Sequence, residues 1–62
     1  MPVITIETTP LTREQKERFI IEYTRIASEI TGLPAQAIIV AIHEPPADNW
    51  GIGGTQLSKM QH

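Results

Sequence analysis

Apolar and β-branched residues crowd at three places along the chain, and each place has its own period. The first is "PVITIET" from Pro2 to Thr8, whose β-branched side chains suit a pleated surface, followed by the turn chemistry of "TPLT". It predicts a strand. At Thr12 begins "TREQ", in which the threonine hydroxyl accepts a free backbone N–H while Gln15 reaches back, the reciprocal arrangement of a capping box. Phe19, Ile20, Tyr23, Ile26, Ala27 and Ile30 then recur at three-and-four spacing, which predicts a helix from Arg13 to Thr31 with a buried stripe. Gly32 fits the position after the helix end, and Pro34 prevents resumption. The third crowd, "IIVAIHE" from Ile38 to Glu44, is dense enough in apolar residues for a strand covered on both faces, and Pro45 and Pro46 close it.

Two strands joined by a helix of this length form a βαβ unit, parallel and right-handed. The expected fold class is therefore α/β, a single domain over residues 1–62 with a short hairpin at its C-terminal end. That hairpin is expected near Trp50 to Gln56, where glycines flank isolated apolar residues and permit a tight turn. A two-stranded sheet with one helix leaves its other face bare, and alternate positions on both strands are apolar enough to meet another subunit. Ile21, nearly opposite the helix stripe, hints at a second interface. Trp50 and Ile52 alternate, so both point to one side and are expected to pack on a neighbouring chain.

Size sharpens that expectation. A chain of 62 residues buries a smaller share of its surface than a larger domain does, and with no cysteine it has neither disulfides nor thiolate-held metal to compensate. Association remains, as a homo-oligomer. The lack of cysteine is consistent with the cytoplasm. Net charge is −2 and basic residues never cluster, which argues against a nucleic-acid partner. No stretch approaches the roughly 18 apolar residues of a membrane span, and the first residues do not read as a signal peptide.

Several motifs have plain readings. "GIGG" at Gly51 to Gly54 lacks the Lys-Ser/Thr of a phosphate loop and the flanking strand and helix of a dinucleotide fold, so it reads as turn chemistry. His43, Glu44 and His62 do not have metal-ligand spacing, and no metal is expected. His43 reads as an interface or partly exposed residue. The helix acids and arginines read as a solvated face, and Lys16, on the apolar side, as a snorkelling lysine. Ser28 and Ser58 lack a partner base, so no nucleophile of that kind is argued.

The remaining candidate is Pro2. If Met1 is removed, the ring nitrogen becomes a free secondary amine. Such a terminal amine titrates near about 7.7 to 8.0, and an apolar pocket lowers the value by disfavouring the charged form. It is then poised to accept a proton at neutral pH, and the ring fixes its direction relative to the strand.

Taken together, "MPVITI", "EQKE" from Glu14 to Glu17, "GIGG" after an aromatic at position 50, and "SK" at Ser58 and Lys59 resemble the 4-oxalocrotonate tautomerases over essentially the whole chain. The resemblance implies a cofactor-free enzyme, a hexamer built as a trimer of dimers, in which Pro2 is the general base that moves a proton between oxygen and carbon of an enol acid. It also implies that Trp50 stands where the family has a phenylalanine contributed by a neighbour, and it brings aromatic hydrocarbon catabolism into view. Two arginines that bind dicarboxylates in the family are replaced by Leu11 and Ile39, and a third by Gln61. Arg13 is the nearest cation to the first of these places. The expected substrate contacts are therefore Trp50, Ile52, Leu11, Ile39 and Arg13, and the expected substrate is a 2-hydroxydienoate or related enol acid. Two rivals share these residues: hydration or dehalogenation of an unsaturated acid with Glu7 or Glu44 activating water, and a non-catalytic oligomer that kept the fold without the arginines.

Overall fold

The computed structural model describes residues 1–60, and the Gln61 substitution and His62 lie outside them. Strand β1 spans Val3–Glu7, helix α1 Arg13–Thr31 and strand β2 Ile39–His43. β1 and β2 pair in parallel from Val3 opposite Ile39 to Glu7 opposite His43. This is the expected βαβ unit. The pairing continues past both ends, because the Ile39 N–H donates to the Pro2 carbonyl at 3.0 Å and the Thr8 N–H to the His43 carbonyl at 3.0 Å.

The helix begins and ends where its caps dictate. The Thr12 hydroxyl accepts from the Gln15 N–H at 3.1 Å and the Gln15 side chain accepts from the Thr12 N–H at 2.9 Å, satisfying two of the donors a helix start leaves open. At the other end Gly32 turns left-handed at φ 74°, a conformation that costs other residues steric strain, and its N–H closes on the Ser28 carbonyl at 2.9 Å.

Alternation along the strands separates two faces. Ile4 and Ile6 on β1, with Val40 and Ile42 on β2, are partly covered beside the helix, and Ile38 just before β2 is the most buried apolar residue among those described, at 9 % exposure. On the opposite face Val3 is 61 % exposed and Ile39 44 %. β2 is thus covered on one face within the protomer, not on both. The helix stripe differs from expectation in the same way: Ile20, Tyr23, Ile26 and Ile30 all remain substantially exposed, because a sheet two strands wide cannot span a stripe of that breadth.

After β2, a short 3-10 turn at Ala47–Asn49 leads to a hairpin of β3, Gly51–Ile52, and β4, Thr55–Gln56. Its two-residue turn has φ of 59° at Gly53 and 87° at Gly54, the mirror-image turn that only glycine and a few polar residues enter cheaply. "GIGG" is therefore a turn. The protomer measures 43 × 23 × 13 Å with a radius of gyration of 14.8 Å, against about 11 Å for a compact domain of this length. Its accessible surface of 4789 Å² compares with about 4,000 Å² for a compact monomer of its mass.

Candidate active site

Pro2 sits at the open end of the sheet. Its carbonyl is the first acceptor of the β1–β2 ladder, and by extension of the register it lies opposite buried Ile38. Its own surface is half-buried. While Met1 is attached the Pro2 nitrogen is a tertiary amide and has no basic lone pair. The Ile39 backbone touches Pro2, whereas the Ile39 side chain belongs to the opposite, bare face with Val3 and Ala41.

Leu11 and Arg13 lie at the other end of the strands. β1 rises about 3.3 Å per residue, so Pro2 and Glu7 are about 16 Å apart, and the connection carrying Leu11 starts beyond Glu7. Within one protomer the structure therefore does not bring Pro2 together with Leu11 or Arg13.

Glu44, the residue just after β2, organises this far end. One carboxylate oxygen accepts from the Leu11 N–H at 2.9 Å and the other pairs with the Lys16 ammonium. The Leu11 N–H first, and Lys16 second, hold the Glu44 carboxyl below its usual range, although partial burial opposes them. Lys16 is thus tied to an acid instead of snorkelling freely, a contact that helical periodicity could not reveal. The signal available was a lysine on the sheet-facing side of the helix and an acid terminating the strand beneath it. Arg13, Lys16, Glu17, Ile20 and Ile21 line a concavity of about 400 Å³ beside this latch. Arg13 makes no ion pair among the described residues. A second groove of about 350 Å³ runs along the helix over the stacked rings of Phe19 and Tyr23, whose centroids are 5.8 Å apart.

The hairpin residues form a third group. The Trp50 indole N–H donates to the Pro45 carbonyl at 3.0 Å, the Leu57 N–H donates to the Trp50 carbonyl at 2.8 Å, and the Gln56 amide donates to the Asp48 carbonyl at 3.0 Å. These bonds fix the indole at the root of the hairpin, and Ile52 at its tip is 58 % exposed. Neither Trp50 nor Ile52 lines either concavity. On the bare sheet face Glu7 and His43, cross-strand partners, approach to 4.0 Å with both side chains exposed. Among the described residues no cluster of His, Asp or Glu converges as a metal site.

The model of the family described as "Tautomerase enzyme" matches residues 2–60, from the candidate proline to the end of the described chain. The chain belongs to the tautomerase family. A 2-hydroxymuconate tautomerase of Comamonas testosteroni is 38 % identical over 47 residues, 76 % of this chain and 75 % of that protein. Among solved structures, one from work on the 4-oxalocrotonate tautomerase isozymes of Methylibium petroleiphilum superposes with a TM-score of 0.89 at 34 % identity, covering 98 % of this chain and 100 % of the other. DmpI of Archaeoglobus fulgidus superposes with a TM-score of 0.85 at 38 % identity, covering 92 % and 98 %. The expected fold and the resemblance to 4-oxalocrotonate tautomerases are borne out, and the family assignment makes this tautomerase an isomerase. No helix among the described residues is long and apolar enough to cross a membrane.

Proposed function

We propose that Pro2, made the first residue by removal of Met1, is the general base of a cofactor-independent keto–enol tautomerase acting on a 2-hydroxydienoate or a related enol acid. The neutral amine takes the proton of the enol hydroxyl, the electron pair moves through the conjugated system, and the resulting ammonium returns the proton to carbon. The observation that carries this reading is the backbone bond from Ile39 to Pro2. It extends the ladder to the very residue whose nitrogen becomes the amine, so the base is held by the sheet instead of fraying from its end. Neighbouring Ile38 supplies apolar surroundings that favour the neutral form.

The working unit in this proposal is a cytoplasmic homo-oligomer, a hexamer arranged as a trimer of dimers. Three features support association: the excess of surface over a compact monomer, the bare face of Val3 and Ile39, and the separation of Pro2 from Leu11 and Arg13 along one strand. A neighbour's far end and a neighbour's hairpin then complete the cleft around each Pro2, with Leu11, Arg13, Ile39, Trp50 and Ile52 as its substrate contacts. Hydration or dehalogenation would need a carboxylate to activate water. Glu44 has both oxygens engaged, and Glu7 lies exposed on the bare sheet face beside His43, so no observation favours that rival.

The test is Pro2→Ala in protein shown by intact mass to lack Met1, assayed for ketonisation of 2-hydroxymuconate and of 2-hydroxypentadienoate. General-base catalysis contributes about 10²- to 10⁴-fold, so a loss of at least a hundredfold is expected. An unchanged rate would exclude the proline ring as the base.

A further inference from the structure

Resting on the reading of the protein as a homo-oligomer, we propose that the bare face of the sheet docks a second copy of this chain and that Glu7 and His43 make this docking take up a proton. The face carries Val3, Thr5 and Glu7 from β1 and Ile39, Ala41 and His43 from β2. They form three cross-strand rows, apolar at the Pro2 end, small in the middle and ionisable at the far end. Area argues for a protein-sized partner, since the protomer's accessible surface exceeds that of a compact monomer by about 800 Å², the share that each partner gives to an ordinary stable interface. Charge argues for a second copy. The same face brings apolar side chains to apolar side chains, and the only ionisable groups it adds are another Glu7 and another His43.

Glu7 Oε1 and His43 Nδ1 stand 4.0 Å apart with both side chains exposed, so water solvates them while the face is bare. α1 packs against the opposite face, where its Lys16 is paired with Glu44, and the charged group that faces His43 within the protomer is Glu7. A second copy laid on the face excludes the water. An unpaired carboxylate is then costly, and the imidazolium beside it is the one counter-charge that the face supplies. This holds whichever way the second copy is turned, because a copy in the same sense sets the ionisable rows together and a copy turned end for end sets Glu7 against Val3 and Ile39. Docking therefore favours the protonated histidine. An imidazole ordinarily titrates near about 6.5, so the stabilisation is complete below that pH and is lost as pH rises above it, through the raised value that pairing confers in the assembly.

The experiment is sedimentation velocity on serial dilutions of Met1-free protein between about pH 5.5 and about pH 8.5, a range that brackets the titration of an imidazole. The urea midpoint of dissociation, read over the same range, serves where dilution alone does not separate the copies. Glu44, held below its ordinary 4.5, stays ionised throughout. Wild type is expected to dissociate about fivefold more readily per copy at the upper end than at the lower. His43→Gln is expected to lose this trend. Glu7→Gln is expected to reverse it, because acid then creates an imidazolium with no carboxylate to meet, an outcome that a merely structural role for the pair would not produce. His62→Gln, at the chain's other histidine, is expected to keep the wild-type trend. A wild-type assembly indifferent to pH, a trend that survives in His43→Gln, or one that disappears in His62→Gln overturns the proposal. Should His43→Gln fail to assemble, the wild-type and Glu7→Gln profiles decide, since an unreversed trend in Glu7→Gln refutes the pairing. Failure of the homo-oligomer reading is distinct: a folded wild type that stays monomeric at every pH and concentration leaves this face to a different partner and overturns both.

Discussion

A single charge on the bare sheet face should dismantle both the assembly and the protomer's own structure, and Val3→Asp is the substitution that shows why. Val3 is 61 % exposed in the protomer and lies opposite Ile39, itself 44 % exposed, so in the proposed assembly this apolar pair is covered by another copy. Fully burying a valine side chain stabilises by about 2 kcal/mol, of which the exposed three-fifths leaves about 1 kcal/mol to be gained on association. Aspartate forfeits that gain and adds the cost of an unpaired carboxylate in the interface, several kcal/mol after relaxation. The sum, about 4 kcal/mol or more in every copy, is a large part of the roughly 5 to 15 kcal/mol that holds an ordinary domain together. Because no side chain among the described residues is fully buried, the released protomer has little core to fall back on. Sedimentation velocity with far-ultraviolet circular dichroism, over a range of protein concentrations, checks this: Val3→Asp should sediment as a monomer and lose helix and sheet signal together. A monomeric Val3→Asp that kept the wild-type spectrum and a cooperative melt would refute the claim that the protomer depends on its neighbours.

Two further outcomes are expected. Trp50→Phe deletes the indole N–H and leaves the Pro45 carbonyl without its partner, which should lower stability by about 1 kcal/mol in a denaturant melt; an unchanged midpoint would mean that the bond contributes nothing to holding the hairpin root. Glu44 has a folded-state pKa below its ordinary value of 4.5, so its contribution to stability is complete above that pH and is lost as pH falls through the lower folded value. Acid titration of stability should accordingly show a component in wild type that is missing in Glu44→Gln, and identical acid profiles would contradict the latch.

Much of the fold was written locally. The capping box at Thr12 and Gln15, the left-handed Gly32 and the proline pair after β2 each act over a few residues, and the helix bounds read from them coincide with the structure. The strands came out one residue shorter at each end than "PVITIET" and "IIVAIHE" predict, because Pro2 and Thr8 take part in the ladder through one backbone group each. What local pattern could not carry is the Glu44 latch, which joins residues 33 apart in sequence for its bond to Leu11. No period in a one-dimensional pattern marks such a pair. A short turn is expected at "LPAQA" and is found as the 3-10 turn Ala35–Ala37, whereas those at Ala47–Asn49 and Leu57–Lys59 were unread.

The sequence names the residues proposed for the site but does not place them together, and the strand itself is the reason. A five-residue parallel strand carries Pro2 at one end and delivers the chain to Leu11 and Arg13 at the other, with no turn that could fold one end onto the other. Pairing with Ile39 fixes Pro2, and the same pairing keeps the Leu11 and Arg13 of its own chain away from it. Any cleft that holds both must therefore join the start of one β1 to the end of another. In the proposed assembly the exposed helix stripe and sheet face are no excess of hydrophobicity in a small protein; they are the surfaces through which the two halves of the proposed site would be brought into register.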